Sequence, residues 1–399
     1  MNTGSQANRR RAKTLQPTRD LQLPQLSEWL KPRKPEMIAL LKELVVHESP
    51  THDKAACDSL CRVLAEKFDQ VGGKVKVHRQ KKAGGHLQVE FGGARSGKPI
   101  LLLGHYDTVY GIGTLASMPW RGSKGLLYGP GVFDMKGGIV QMMFAIRALK
   151  ETLGSRPRPI TILLVSDEEE GSETSRPITE KIASRCEAVL VCEPAGRGGA
   201  LKTARKGVGN FTIRVSGVAA HAGLDFEKGH NAILELSRQI EAVAAMTNLD
   251  RGITLNVGII RGGTRTNVVP SEAEAEFDLR IQAKLDGDVM MRKVRALRPV
   301  NKKCKLHIDG GINRPPLERS PAVVALFREA QKIARELGFS LSEIAVGGGS
   351  DGNFTAGLGI PTLDGLGAVG DGAHSPRESV VAAELPRRAA LLAGLIASF

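Results

Sequence analysis

Imidazole and carboxylate side chains stand at the ends of short apolar runs at five places in this 399-residue sequence. In an open α/β sheet, ligands bind just beyond the carboxyl ends of the strands, so we expect these side chains to meet there. Histidine nitrogens and carboxylate oxygens are the ligands that a hydrolytic zinc centre uses. The sequence therefore favours an enzyme. The five fragments are Gly-His105-Tyr-Asp107, Gly-Val-Phe-Asp134-Met-Lys-Gly-Gly, Ser-Asp167-Glu168-Glu169-Glu170-Gly, Cys-Glu193-Pro and Gly-Ala-His374-Ser-Pro.

Each fragment also has a purely structural explanation. A single histidine at a strand end, such as His105, commonly makes a structural hydrogen bond, and Asp134 can cap the helix that follows it. The acidic run 167–170 can be a solvated turn. These explanations require five independent coincidences at matching strand ends, so a shared metal site is the stronger interpretation.

The number of candidate ligands suits two metal ions. Two ions about 3.5–4 Å apart can share a bridging carboxylate, and such a pair needs about five protein ligands. Asp107 lies two residues from His105, on the same side of an extended chain, and can hold the imidazole in its metal-binding tautomer. Glu168 neighbours a ligand without needing to be one, so it can act as a general base. The candidate ligands are His105, Asp134, Glu169, Glu193 and His374.

The apolar runs that precede these residues predict the fold around them. Runs 100–103, 160–165 and 189–192 have the composition of buried parallel strands. From Gly207 the pattern changes to β-α-β-β-α-β, a ferredoxin-like layout, in which segment 270–281 alternates between apolar and charged residues.

The α/β pattern returns from Asn313, and His374 lies beyond the insertion. The first domain must therefore be discontinuous for His374 to join the other ligands. The predicted fold is α/β, with a mostly parallel-sheet hydrolase domain of residues 36–206 and 313–399 and an inserted ferredoxin-like α+β domain of residues 207–312.

Residues 1–35 carry eight basic and two acidic residues, and nearly half of the net charge of +14. We interpret them as a disordered, solvated tail. Binding of nucleic acid or of an anionic membrane through this tail is an alternative. The scarcity of tyrosine and tryptophan argues against a nucleic-acid platform, and no apolar run approaches the ~18 residues of a membrane span.

The five cysteines form no Cys-x-x-Cys pair, which favours reduced thiols and a cytoplasmic protein. The triplet 9–11 is Arg-Arg-Arg and could suggest a twin-arginine signal, but no apolar segment follows it. We therefore expect neither a membrane partner nor a nucleic-acid partner.

The fragments together resemble the co-catalytic di-zinc exopeptidases, a family that includes glutamate carboxypeptidases, acetylornithine deacetylases, succinyl-diaminopimelate desuccinylases and aminoacylases. The resemblance spans residues 37–399 and is closest to the glutamate carboxypeptidase branch, through Cys-Glu-Pro and Asp-Met-Lys-Gly-Gly. It rests on Gly-His105-Tyr-Asp107-Thr-Val, Gly-Pro-Gly-Val-Phe-Asp134-Met-Lys-Gly-Gly, Asp167-Glu168-Glu169, Cys192-Glu193-Pro, His221-Ala-Gly and Gly-Asp-Gly-Ala-His374.

This resemblance implies a role for each candidate residue around two zinc ions, with cobalt or manganese as alternatives. Asp134 would bridge the ions and be followed by a cis peptide bond. His105 and Glu193 would complete one site, and Glu169 and His374 the other. Glu168 would be the general base, and Asp107 would orient His105.

The resemblance further implies that the inserted domain is a lid and dimerisation domain. In a homodimer, His221 and Asn267 would reach the partner subunit's active site, and Arg280 would hold the substrate's carboxylate. Glutamate-preferring members carry a lysine shortly before the lid, where this sequence has Ala200, with Lys202 close by. This departure puts glutamate preference in doubt.

The leading hypothesis is a carboxypeptidase, of the glutamate type or a related one, that cleaves an amide bond next to a free α-carboxylate in a small peptide. An N-acyl-amino-acid deacylase with the same site is the first alternative. A non-catalytic binding protein on this fold is the second. It is disfavoured because a degenerate member should have lost a metal ligand or Glu168, and the sequence retains all of them.

Overall fold

The structure, a computed structural model, describes residues 23–399. Its α-helices are α1 (Leu23–Leu30), α2 (Lys34–Val46), α3 (Lys54–Gln70), α4 (Thr114–Ser117), α5 (Gly137–Leu153), α6 (Arg176–Ala183), α7 (Ala232–Ala244), α8 (Lys284–Arg295), α9 (Pro321–Glu336), α10 (Gly352–Gly357) and α11 (Glu384–Ala397).

The strands form one large sheet, a second sheet in the inserted segment, and several short pairings. They are β1 (Lys74–His78), β2 (His86–Phe91), β3 (Ile100–His105), β4 (Arg121–Ser123), β5 (Leu126–Tyr128), β6 (Ile160–Val165), β7 (Ala188–Val191), β8 (Leu201–Arg205), β9 (Gly207–Ser216), β10 (Ala220–His221), β11 (Thr254–Gly262), β12 (Val268–Val269), β13 (Glu272–Ile281), β14 (Lys305–Arg314), β15 (Glu343–Val346), β16 (Thr362–Leu363), β17 (Gly370–Asp371) and β18 (Ser379–Val381).

The central sheet has the strand order β1-β2-β6-β3-β7-β16. Strand β3 is parallel to both β6 and β7, and β16 is parallel to β7, whereas β1 and β2 form an antiparallel edge. Every residue of β3, β6 and β7 is buried, as their continuous apolar runs predict. Alternate residues pack towards two hydrophobic clusters, one containing α5 and α11 and the other containing α6. This α/β architecture confirms the predicted fold class.

The first turn of helix α5 packs against the residues that follow strand β7. It begins at Gly137, three residues after Asp134. A Cβ atom at Gly138 would lie 2.1 Å from the carbonyl oxygen of Cys192, so glycine is required where the helix start meets the end of β7. This close packing sets Asp134 beside Glu193.

The inserted domain, which we define as residues 207–314, contains an antiparallel sheet of order β11-β13-β9-β14. Helices α7 and α8 contribute to the hydrophobic cluster on one face. Its chain order, β9-α7-β11-β13-α8-β14, is the predicted β-α-β-β-α-β. Strand β13 shows the predicted alternation: its buried residues are Ala273, Ala275, Phe277, Leu279 and Ile281.

Strand β14 continues to Arg314, well beyond the apolar alternation of Leu306 and Ile308 at its start. Gly310 and Gly311 interrupt the apolar alternation and hide this extension. Gly310 has φ +96°, and a Cβ atom there would lie 2.1 Å from the carbonyl oxygen of Asn210 on β9. Gly310 therefore allows the close approach of β14 to β9. The strand ends at the boundary of the catalytic part, which we define as residues 23–206 and 315–399.

The prediction of a disordered tail over residues 1–35 is wrong for residues 23–35. Leu23, Leu26 and Leu30 share one face of α1, and each is at most 1 % exposed. The helix packs against α11 and α5. Burial of these three leucines stabilises the helix. The many charged residues of this segment had favoured a solvated tail instead. Residues 1–22, with the arginine triplet, lie outside the described residues.

Within residues 23–399, no helix combines the length and the apolar content that crossing a membrane requires. The five cysteines, all in this part of the chain, are buried and make no disulfide.

Candidate metal centre

Two groups of potential metal ligands meet at the carboxyl ends of the central strands and share Asp134. One contains His105 and Glu193, and the other contains Glu169 and His374. Within each group, one atom from each residue lies within 4.8 Å of the others. The structure thus brings all five candidate ligands together.

The first group is buried. His105, the last residue of β3, is 1 % exposed, and its Nε2 lies 3.1 Å from Oδ1 of Asp134 and 3.4 Å from Oε1 of Glu193. Glu193 follows β7, two residues after the strand ends. Two neighbouring parallel strands therefore deliver the imidazole and the carboxylate to one point.

The second group reaches solvent through one of its members. The side chain of His374 is 49 % exposed, and its Nε2 lies 3.1 Å from Oε2 of Glu169 and 3.3 Å from Oδ2 of Asp134. Asp134 therefore presents Oδ1 to one group and Oδ2 to the other, which is the arrangement of a bridging carboxylate. The peptide bond after Asp134 is cis, as the resemblance implies.

The carboxylates favour positive charge at both imidazoles. Hydrogen bonds with Asp134 and Glu169 raise the pKa of His374 to about 10. Burial alone would lower the pKa of His105, but hydrogen bonds with Asp107, Asp134 and Glu193 outweigh it and hold the pKa well above its ordinary value. Burial would likewise raise the pKa of Asp134, yet its bonds to the two histidines lower it. A site with two imidazoles and three carboxylates, one shared, fits two divalent cations.

Asp107 holds the ring of His105. Nδ1 of His105 lies 3.0 Å from the backbone carbonyl oxygen of Asp107 and 3.3 Å from its Oδ1. The other carboxylate oxygen accepts hydrogen bonds from Thr51 Oγ1 at 2.9 Å and from the backbone N–H of Glu169 at 3.2 Å. With Nδ1 engaged in this way, Nε2 faces Asp134 and Glu193, the orientation that a ligand histidine needs.

Glu168 lies beside the ligands with its side chain 12 % exposed, and it pairs with Arg314. Nη2 of Arg314 lies 2.9 Å from Oε1 of Glu168 and also donates to its backbone carbonyl oxygen and to Ser172. Burial raises the pKa of Glu168 well above its ordinary value, and Arg314 opposes that shift without reversing it. A carboxylate with a raised pKa suits proton transfer.

Sequence reasoning missed three residues that hold the site in place. Arg314 is one, and Arg205, which contacts Glu193, is another. The third is Glu378, a buried carboxylate that accepts hydrogen bonds from the backbone N–H groups of Gly131, Phe133 and Asp134. Each would have read as an ordinary surface charge, since a single sequence does not reveal burial.

The structure does not bring His221, Asn267 or Arg280 into any hydrogen bond or ion pair with the five ligands within residues 23–399. His221 is exposed on β10, and its Nδ1 accepts from the backbone N–H groups of Gly223 and Leu224. The backbone carbonyl oxygen of Asn267 accepts from Ala222 N–H, so Asn267 lies near His221.

Arg280 lies on the charged face of β13 and is partly buried. Its Nε and Nη2 lie 2.7 Å and 2.9 Å from the two carboxylate oxygens of Asp278, and its Nη1 lies 3.4 Å from the carbonyl oxygen of Gly347. Gly347 belongs to the catalytic part, so this arginine stands where the inserted domain faces it.

Ala200 is buried immediately before β8, and Lys202 is partly buried within that strand. Burial, with a contribution from Arg205, lowers the pKa of Lys202. The position at which the resemblance implies a lysine is thus a buried alanine, and Lys202 lies two residues further along the chain.

Comparison with known proteins agrees with this geometry. Residues 101–398 match the family model described as Peptidase family M20/M25/M40. The chain is 30% identical over 371 residues to Carboxypeptidase G2 of Pseudomonas sp. (strain RS-16), covering 91% of this chain and 89% of that protein.

Two further relatives extend the comparison. The chain is 27% identical over 369 residues to a succinyl-diaminopimelate desuccinylase of Stenotrophomonas maltophilia (strain K279a), covering 86% of this chain and 94% of that protein. Among solved structures, aminopeptidase PepT from Bacillus cereus ATCC 10987 is similar with a TM-score of 0.76 at 24% identity, covering 92% and 98% of the two chains.

Proposed function

The chain belongs to peptidase family M20/M25/M40 and is a hydrolase, and we propose that it is a two-zinc carboxypeptidase that cleaves an amide bond next to a free α-carboxylate. The observation that carries the proposal is the position of Asp134, which presents one oxygen to each of two histidine–carboxylate groups beside Glu168.

The proposed roles follow the geometry. His105 and Glu193 would hold one zinc ion and Glu169 and His374 the other, and Asp134, which belongs to both ligand groups, would contribute to both sites. When bound, the ions supply Lewis acidity towards the scissile carbonyl and lower the pKa of water. Asp107 keeps the His105 ring in its binding orientation.

Glu168 moves the proton. It accepts one from the attacking water, whose oxygen forms a bond to the carbonyl carbon, and donates it to the nitrogen of the leaving amine as the C–N bond breaks. The second proton of the water stays on the new carboxyl group, so water and amide give a carboxylic acid and an amine, which exchange this proton and leave as a carboxylate and an ammonium ion. Arg314 holds the Glu168 side chain at 2.9 Å while this transfer occurs.

The inserted domain supplies recognition in this proposal. Arg280 binds the substrate's carboxylate, and His221 and Asn267 serve the active site of the partner subunit in a homodimer. Two observations support a role of His221 between molecules: its side chain is exposed, and because its Nδ1 accepts two backbone hydrogen bonds, Nε2 carries the proton and can donate. The contact of Arg280 with Gly347 of the catalytic part supports the role of this arginine in substrate binding, because it places the side chain where the inserted domain faces the catalytic part.

A second candidate function is N-acyl-amino-acid deacylation at the same site. The likeness to a desuccinylase over most of both chains favours it. The two functions share the amide bond and the metal centre and differ in the group on the acyl side. The substitution of Ala200 for the family's lysine weighs against a strict requirement for glutamate.

A hydrolysis screen with matched substrates tests the proposal. Protein stripped of metal by a chelator and restored with zinc, cobalt or manganese is offered dipeptides and N-acyl amino acids, each paired with the same compound as its C-terminal amide. We expect cleavage of the free acids, at least about tenfold faster than of the amides, because Arg280 has no carboxylate to bind in the latter.

The outcomes separate the candidates. Cleavage of acyl amino acids without cleavage of dipeptides would favour the deacylase. Equal cleavage of acids and amides would contradict recognition of an α-carboxylate. Binding of two metals without any hydrolysis would favour the non-catalytic alternative.

A further inference from the structure

Arg205 lies at the end of β8, two residues before the inserted domain begins, yet its guanidinium is directed into the metal centre. The residue is 4 % exposed. Its nitrogens contact carboxylates of Asp364 and Glu193 and the carbonyl oxygens of Gly348 and Gly349. A guanidinium this deeply buried is stable only because these acceptors pair with it.

The two carboxylates share Arg205 unequally. Asp364 forms a bidentate pair, with Nε at 2.7 Å from Oδ2 and Nη2 at 3.0 Å from Oδ1. Ser350 donates to the same Asp364 carboxylate at 2.6 Å, and Asp364 is fully buried. The positive charge of Arg205 is therefore largely matched by Asp364.

Glu193 receives a longer contact from the same arginine. Nη2 of Arg205 lies 3.3 Å from Oε2 of Glu193, while Oε1 lies 3.4 Å from Nε2 of His105, on the side of the shared Asp134. One oxygen of Glu193 is thus held and the other is left facing the ligand group. Because Asp364 takes the shorter, bidentate contact with Arg205, the arginine engages only one oxygen of Glu193 and leaves the other available to a cation.

We propose that Arg205 is a positioning residue that fixes Glu193 as a one-oxygen metal ligand, with Asp364 as the partner that binds most of the guanidinium and so leaves the second oxygen of Glu193 to the metal. The inference rests on the proposed two-metal function and deepens it. It applies to one of the two metal positions. Within residues 23–399, no ion pair joins the other group's Glu169 to an arginine; its carboxylate pairs with His374.

Two substitutions test the proposal through metal affinity, independently of turnover. Arg205→Lys keeps the charge but cannot contact Asp364 and Glu193 with the same planar fork. Asp364→Asn keeps the shape but removes the charge that matches the arginine, so Arg205 would compete with the cation for Glu193. Arg319→Lys is the matched control, because Arg319 also forms a bidentate pair, with the carboxylate of Glu343, on the exposed surface.

Metal-free proteins are titrated with zinc against a chelating dye, and thermal unfolding verifies that each variant is folded. We expect wild type to bind two ions. Arg205→Lys and Asp364→Asn should each weaken one binding step by about 10–100-fold, the usual effect of losing a partner of a metal ligand, and leave the other step nearly unchanged. Arg319→Lys should match wild type in both steps.

Cobalt supplies a second readout. If Glu193 becomes free to bind with both oxygens in Arg205→Lys, the coordination number rises and the visible absorption of the cobalt protein weakens; Arg319→Lys should keep the wild-type spectrum. Wild-type affinities in both folded variants, or equal weakening of both steps, would overturn the proposal. If Arg205→Lys does not fold, Asp364→Asn decides alone. Wild type that binds fewer than two ions would instead contradict the proposed function.

Discussion

Two histidines with predicted roles, His105 in the metal centre and His221 in the inserted domain, have opposite surroundings. His105 is 1 % exposed, and its ring nitrogens face oxygens of Asp107, Asp134 and Glu193. His221 is exposed, and its Nδ1 accepts from backbone N–H groups of its own turn. One ring is fixed by the carboxylates around it, and the other is presented to whatever approaches the surface.

The contrast extends to the elements that carry the two rings. Three of the ligands, His105, Glu169 and Glu193, lie at or just after the ends of buried strands of the central sheet. The exposed face of the inserted sheet instead carries ion pairs such as Arg214 with Glu274 and Asp309. A metal centre must be organised before substrate arrives, and buried strands and hydrogen bonds organise it. A recognition surface needs access, so its residues gain their function only in contact with another molecule.

The largest expected effect is at the residue shared by both ligand groups. Asp134→Ala should abolish binding of two metals and reduce hydrolysis to the background rate, because no other side chain in the described centre faces both groups. Metal analysis by mass spectrometry of the saturated protein checks this. Asp309→Ala, an exposed aspartate of the inserted domain, is the control and should bind two ions. Two ions per chain in Asp134→Ala would contradict the bridging role.

The next effect separates chemistry from metal binding. Glu168→Gln should lower turnover by at least ~10²–10⁴, the contribution of a general base, while both metals remain bound. Glu170→Gln is the matched control, since Glu170 is an exposed carboxylate of the same turn. Steady-state kinetics with metal analysis tests both variants. Loss of the metals, or wild-type turnover, in Glu168→Gln would show that the base is misassigned.

A smaller effect is expected from the exposed histidine. In the proposed dimer, His221 would donate a hydrogen bond to the oxyanion that forms from the scissile carbonyl. His221→Ala should therefore reduce kcat by ~10²–10³, the scale of losing such a donor, with metal content intact. His307→Ala, another exposed histidine of the inserted domain, is the control.

Mixing His221→Ala with Arg280→Ala should restore part of the activity. In a mixed dimer, one site would combine the intact Arg280 of one chain with the intact His221 of the other. Kinetics after verified subunit exchange provides the measurement. If no activity is recovered, both residues serve the site of their own chain. The recognition surface would then not be shared between subunits.

The sequence predicted the parts of the molecule that depend on local patterns. The apolar runs of β3, β6 and β7 fixed the α/β class, and the alternation of β13 identified the inserted sheet. The family resemblance, now confirmed, supplied the cis bond after Asp134. These features reside in a few consecutive residues, which is why a single sequence reveals them.

The features that sequence reasoning missed depend on distant parts of the chain. Arg205 meets Asp364 across 159 residues and Arg314 meets Glu168 across 146, so nothing local marks either arginine as buried. Helix α1 was mistaken for part of a disordered tail because its leucines find their partners in α5 and α11. Long-range packing of this kind decides burial, and burial decides which charges become part of the site.

The smallest expected effect is a difference in the alkylation rates of buried thiols, which reports the local stability of the catalytic part and of the inserted domain. Burial raises the pKa of Cys57 to about 12 and that of Cys61 to about 11 in the catalytic part. Burial also raises the pKa of Cys304, which belongs to the smaller hydrophobic cluster of the inserted domain. A thiol reacts as its thiolate, so all three should react slowly in the folded protein at pH 8, and reaction should require local opening.

Because the inserted domain has the smaller core and is bounded by two connections, it should open more readily, and Cys304 should be alkylated about tenfold faster than Cys57 or Cys61. Timed labelling followed by peptide mass analysis measures each rate.

The raised pKa of Cys57 also makes stability depend on pH, because the folded state retains the thiol proton more strongly than the unfolded state. This contribution to stability is complete below the ordinary thiol pKa of 9.0 and is lost as the pH rises towards about 12. Labelling should therefore accelerate above pH 9. If Cys304 reacts no faster than Cys57, the two regions open as one cooperative unit. The inserted domain would then be no less stable than the catalytic part, and His221 would be exposed only because of its position on the surface.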